Sequence, residues 1–151
     1  MLCAASAESS VAEIQANTFY KYYEVTGNSV RSLHKSMLRR GPNDVNGANA
    51  YGLTLMARSW EGQFVQNNEC QIVDFKIKAS FVIHLPKAKN EKALSSETMT
   101  HWRRFASFVR KHEEKHRSIY MSCAGELEKL ILAMRERDCE TLNQKSIALW
   151  E

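Results

Sequence analysis

The stretch Cys70–Pro86, CQIVDFKIKASFVIHLP, alternates apolar and polar residues with the period of an extended chain. Val73, Phe75, Ile77, Ala79, Phe81 and Ile83 fall on one side; Asp74, Lys76, Lys78, Ser80, Val82 and His84 fall on the other. Successive strand side chains point to opposite faces, so the pattern predicts one strand with a buried face and a wet face. Such a strand suits an antiparallel sheet packed on one side, and Pro86, lacking an N–H for the ladder, ends it.

Upstream, TFYKYYEVTG (18–27) is rich in aromatic and β-branched residues and ends in a turn signal, which predicts a first strand. Asn28 or Ser29 then caps a helix to Arg40 with Val30, Leu33, Met37 and Leu38 as its apolar stripe, and Gly41-Pro42 stops it. After a loop dense in turn residues, GLTLMARSW (52–60) predicts a second strand with Leu53, Leu55 and Ala57 on one face. Downstream of Pro86 lies a polar connector in which Ser96, Thr98 or Thr100 can cap the next element. From His101 to Arg137 a helical repeat runs through Trp102, Phe105, Val109, His112, His116, Ile119, Cys123, Leu127, Leu130 and Met134. A shorter helix follows in CETLNQKSIALW (139–150). The fold class expected is α+β: a small antiparallel sheet of about three to four strands packed on one long helix, with a second, shorter helix.

At 151 residues and 44% hydrophobic content the chain has enough apolar surface for a core, and residues 17–151 are expected to form a single domain. Its 21 basic and 17 acidic residues are dispersed, with no basic block, so nucleic acid is not an expected partner. No apolar run approaches the roughly 18 to 20 residues that cross a bilayer, so no membrane span is expected. Ala5-Ser6-Ala7 has the small-x-small pattern of a signal-peptidase site, and residues 1–16 read as the stump of an export signal or an Ala/Ser-rich terminus. Cys3, Cys70, Cys123 and Cys139 form no C-x-x-C pair, which excludes the usual all-cysteine zinc spacing. In an exported chain Cys70 and Cys139 are placed where a disulfide can tie strand to helix, with Cys123 buried; in a reducing compartment all four are free thiols.

The chemistry concentrates in VRKHEEKHRSIY (109–120). Four residues of an α-helix advance about 400°, so His112 and His116 share a face one turn apart and can grip one ion. Glu113 points about 100° away from His112, where a carboxylate reaches water at the metal instead of the metal itself. Two ligands and one general base is the division of labour in H-E-x-x-H. Both histidines fall within the apolar stripe drawn above, where buried imidazoles need partners and a metal satisfies both; the alternatives are a solvated charged face and a pair of buried, hydrogen-bonded histidines. A catalytic zinc takes three protein ligands, and His84, at the end of the long strand, is the candidate for the third; its alternation with Lys76 and Lys78 equally makes it a solvent-facing residue.

In order, YYEVTGNSVRSLHKSMLRRGP, YGLTLMARSW, CQIVDFKIKASFVIHLP and HWRRFASFVRKHEEKHRSIY, followed by Cys139, resemble a bacterial domain-of-unknown-function family whose members are described as predicted secreted zinc-dependent proteases. The resemblance covers roughly residues 19–142. Its most specific pieces are Tyr23-Glu24-Val25-x-Gly27, Gly41-Pro42, Thr54 with Trp60, Cys70, Leu85-Pro86, Trp102 and the His112-Glu113-x-x-His116 core. It implies a zincin-like metallopeptidase acting on peptide or protein, with one catalytic Zn2+ on His112 and His116, Glu113 as base, a Cys70–Cys139 disulfide and a periplasmic or secreted address. Two departures stand out. Lys115 occupies the place of an expected small residue. A Tyr-Asp-x-x-Thr-x-His-Gly segment, whose histidine is the natural third ligand, is missing from the sequence, so the third ligand is expected at His84 or outside this chain. The rival expectation is a non-catalytic envelope or secreted binding module that retains a degenerate zinc site.

Overall fold

The computed structural model describes residues 14–151, so the expected export-signal stump, apart from residues 14–16, lies outside the described chain. The elements are β1 (Gln15–Val25), α1 (Val30–Arg40), β2 (Leu53–Gln66), β3 (Cys70–Ala88), a short 3-10 turn (Glu91–Ala93), α2 (Ser96–Ala133) and α3 (Cys139–Trp150). The class is α+β, with a three-stranded sheet in the order β1-β3-β2. The sheet is mixed, which corrects the antiparallel expectation. Residues 67–69 allow only an antiparallel β2–β3 hairpin, whereas the long connection from β1 to β3 permits parallel pairing. Their C-terminal ends meet where the Lys89 N–H donates to the Val25 carbonyl at 2.9 Å. One-sided alternation reports burial, which is blind to strand direction.

Two compact units divide the chain. The first comprises residues 14–15, 59–78 and 123–151. Its core is Cys70, Ile72, Phe75, Ile77, Ile131 and Leu142, with Trp60, Leu127 and Trp150 packed against them. Cys70 and Cys139 are disulfide-bonded, the pairing that the family resemblance implied. Cys70 also exchanges both backbone hydrogen bonds with Glu136, at 2.7 and 3.1 Å. Asp138 caps α3 by accepting from the Thr141 N–H at 2.8 Å, and these bonds hold its carboxyl below the usual range.

Within this unit β3 departs from the strict alternation expected of it. Cys70 and Ile72 are buried, then Phe75 and Ile77, so the inward parity shifts by one residue and Val73 is not on the buried face. Between them Asp74 has φ +53°, a left-handed conformation that Asp tolerates better than most residues. The extra residue makes a bulge that re-aims the strand. Gly62 of β2 leaves room there: a Cβ on it would stand 3.0 Å from Ile72 Cγ2 and 3.2 Å from Phe75 Cδ2.

The second unit comprises residues 16–58 and 79–122. Val25, Leu33, Met37, Ala88, Leu94 and Trp102 form one cluster, and Ile83, Leu85 and Val109 another. Tyr51 and Phe105 pack against both. The α1 cap is a reciprocal box in which the Ser32 N–H donates to Ser29 Oγ at 3.3 Å and the Ser29 N–H to Ser32 Oγ at 3.0 Å. In the early part of β2 the expected face is inverted: Leu55 and Ala57 are exposed, while Thr54 and Met56 are half-buried.

Helix α2 corrects the expected stripe. It begins at Ser96 behind Ser95, whose Oγ accepts from the Thr98 N–H at 3.2 Å, and it runs through Gly125 without interruption. Its buried positions are Trp102, Val109, Glu113, Glu128 and Ile131. His112, His116, Ile119 and Cys123 are exposed. Extrapolating the stripe from Val109 by three residues led to His112; the buried line takes the four-residue step to Glu113. Cys123 is a free, exposed thiol and not the buried one expected.

Candidate metal centre

The pentapeptide His112-Glu113-Glu114-Lys115-His116 lies in α2, within the second unit. Its two imidazoles stand on the solvent side, one turn apart, with their Nε2 atoms 3.1 Å from each other and their ring planes at 85°. Two nitrogens bound to one tetrahedral zinc at about 2.0–2.1 Å are about 3.3 Å apart, so the pair suits two corners of one ion. A ring N–H of one donating to the other gives the same spacing. Phe108, on the preceding turn, places its ring 6.3 Å from that of His112.

Glu113 is the buried member, 6% exposed. Thr54 at the start of β2 holds it: the Thr54 hydroxyl reaches Glu113 Oε2 at 2.8 Å and the Glu113 carbonyl at 3.1 Å. One hydroxyl proton serves both acceptors, so side chain and main chain of Glu113 are fixed to one strand. Gly52 brings the backbone against the carboxylate. A Cβ there would lie 2.7 Å from Val109 Cγ1 and 2.9 Å from Glu113 Oε1. His112, Glu113, Phe108 and the Asn49–Gly52 segment line a cavity of about 440 Å³.

Glu114 is committed elsewhere. It accepts from Arg110 Nε at 2.8 Å and from the Tyr20 hydroxyl at 3.0 Å, and the Arg110 bond draws its carboxyl below the usual range. Arg117 Nε donates to Thr18 Oγ1 at 2.7 Å. These contacts tie α2 to β1 on the side away from the histidine pair.

No group of three or more His, Cys, Asp or Glu among the described residues is arranged to hold a metal. His84 is therefore not brought together with His112 and His116. It is half-buried on β3, where burial and the Lys21 charge push its imidazole below the ordinary range. The donor set thus fits two corners of a zinc ion, and the described residues complete no third. Sequence reasoning passed over Gly52 as a cavity residue, and it had Thr54 only through the resemblance. The signal available was the parity of β2, since a threonine facing inward needs a buried acceptor.

An α+β chain with a mixed three-stranded sheet and a paired-histidine helix is the class these observations define. The chain belongs to the family described as bacterial protein of unknown function (DUF922), whose model matches residues 20–151. No curated protein and no solved structure matches it significantly. Among the described residues no helix is long and apolar enough to cross a membrane.

Proposed function

We propose that the chain is a zinc-dependent metallopeptidase in which His112 and His116 hold the ion and Glu113 is the general base. The observation that carries this reading is the approach of the two Nε2 atoms to 3.1 Å of each other, beside a buried carboxylate that shares a cavity with His112. Zinc, when held there, supplies Lewis acidity toward water and a substrate carbonyl. The remaining work falls to the chain's own groups. Thr54 holds Oε2, which fixes the carboxylate plane and leaves Oε1 to take a proton. Gly52 keeps the space beside Oε1 free of a side chain. The described residues arrange no third ligand beside this pair.

The substrate in this reading is a peptide or protein segment in extended form. Strand β2 lies at a sheet edge and starts directly after the cavity-lining Asn49–Gly52 segment, so a peptide added to that edge passes the His112–Glu113 cavity. The Cys70–Cys139 disulfide suits a periplasmic or secreted location, because such bonds persist in oxidising compartments.

A second reading, a binding module that retains a two-histidine site without turnover, is favoured by the incomplete ligand set among the described residues. Hydrolysis of a peptide library by the zinc-supplemented protein separates the two. The peptidase reading expects cleavage that Glu113→Gln lowers by about 100-fold or more. Intact peptides, or equal cleavage by Glu113→Gln, overturn it.

A further inference from the structure

A second cavity opens in the same unit, between α1 and the first turns of α2. It has a volume of about 240 Å³ and a floor of Leu33, Met37 and Trp102, all buried. Val30, 53% exposed, and the exposed His34 and His101 form its rim. An apolar cavity of about 150 Å³ accepts a benzene molecule, so this one holds a phenylalanine or leucine side chain. His34 is fixed at the rim by Tyr51, whose hydroxyl lies 2.7 Å from His34 Nε2.

The cavity shares a face with the histidine pair. At about 100° per residue, positions 101, 105, 108 and 112 of α2 fall within about 60° of one another. Phe108, 64% exposed, stands on that face and lines the cavity beside His112 and Glu113. Phe105 belongs to the wall of the Val30–Trp102 cavity and Glu113 to the cavity beside His112. Eight positions at about 1.5 Å each separate them by about 12 Å, which an extended peptide covers in three to four residues.

We infer that the Val30–Trp102 cavity is a specificity subsite for a large apolar side chain of the substrate, three to four residues from the bond cleaved at His112 and Glu113. This rests on the peptidase reading for the position of the cleaved bond. The apolar floor selects Phe or Leu over Ala by about tenfold or more through burial of the side chain, and it rejects a carboxylate, which finds no buried partner there.

The test uses the whole, disulfide-bonded chain with added zinc and a set of decapeptides carrying Phe, Leu, Ala or Asp at each position in turn, with cleavage sites read by mass spectrometry. The Met37 methyl resonance is followed in parallel on the Glu113→Gln protein as peptide is added. A Phe or Leu preference of about tenfold at three or four residues from the cleaved bond is expected, together with a shift of the Met37 methyl for the Phe peptide and none for the Ala peptide. Val30→Phe, a substitution at the exposed rim that fills the cavity, is expected to collapse the Phe-to-Ala ratio toward one. Cleavage without preference at that spacing overturns the subsite and leaves the hydrolase standing. If nothing is cleaved, the methyl signal decides: a Phe-specific shift abolished by Val30→Phe sustains the subsite while the hydrolase falls, and no shift overturns both.

Discussion

Replacing Glu128 by methionine should stabilise the protein, by an amount that depends on pH. Glu128 sits in α2 within the first unit, is 0% exposed, and neither of its carboxylate oxygens has a hydrogen-bond partner among the described residues. An unsatisfied buried polar group costs about 1–3 kcal/mol, and an ionised one costs more. Burial accordingly raises the Glu128 carboxyl above its ordinary value of 4.5. The folded chain therefore holds this proton more tightly than the unfolded chain, and stability falls as pH rises above the ordinary carboxylate value, levelling off above the raised one. Methionine has similar length, fits an apolar pocket and carries neither charge nor strong acceptor. The difference between variant and wild type should be about 1–2 kcal/mol at pH 4. It should grow by up to about 1.4 kcal/mol per pH unit across the window, then stay constant. Urea unfolding followed by circular dichroism at intervals from pH 4 to 8 measures it, and the subtraction cancels the other titrating groups. A pH-independent difference, or a Glu128→Met protein less stable than wild type at pH 8, would show that the carboxylate has a partner and refute the reasoning.

Three further outcomes follow from particular contacts. Cys139→Ser opens a loop of 69 residues and should lower stability by about 4 kcal/mol, seen as a lower urea midpoint for the variant than for the oxidised wild type. Gly52→Ala places a Cβ within 2.9 Å of Val109 and Glu113 side-chain atoms, so it should cost about 1–3 kcal/mol in urea unfolding and depress peptide cleavage beyond the loss explained by unfolding. Asp74→Gly relieves a left-handed residue at φ +53° and should raise the thermal midpoint, with about 0.5–1 kcal/mol of net gain; a fall would mean that the aspartate side chain stabilises the bulge.

Most elements were legible in the sequence because their local signals agree with their packing. Ser29 at the N-cap and Gly41-Pro42 at the stop bound α1 as expected, and CETLNQKSIALW is α3 from its first residue to its last. What the sequence concealed lies where the period breaks. The bulge at Asp74 adds one residue to β3, and no composition signal distinguishes an aspartate at a bulge from one on a wet face. In α2, His112 and Glu113 are neighbours, so whether the helix turns one or the other inward depends on a packing step of three residues or four after Val109. Glu113 is the one turned inward, and the Thr54 hydroxyl serves both its carboxylate and its carbonyl there. The burial expected of His112, Glu113 and His116 is thus inverted in the fold. That inversion leaves both imidazoles exposed to solvent. Strand direction was never encoded in the alternation, and Cys123 shows the same limit of a stripe extrapolated across many turns.

The central claim is that His112 and His116 hold a metal together, and metal titration tests it most directly. The protein, stripped with chelator and dialysed, is titrated with zinc by isothermal calorimetry at neutral pH, alongside Glu113→Gln and the double variant His112→Ala, His116→Ala. One zinc per chain is expected for wild type and for Glu113→Gln, and none at that site for the double variant. No binding by wild type, or undiminished binding by the double variant, would contradict the account.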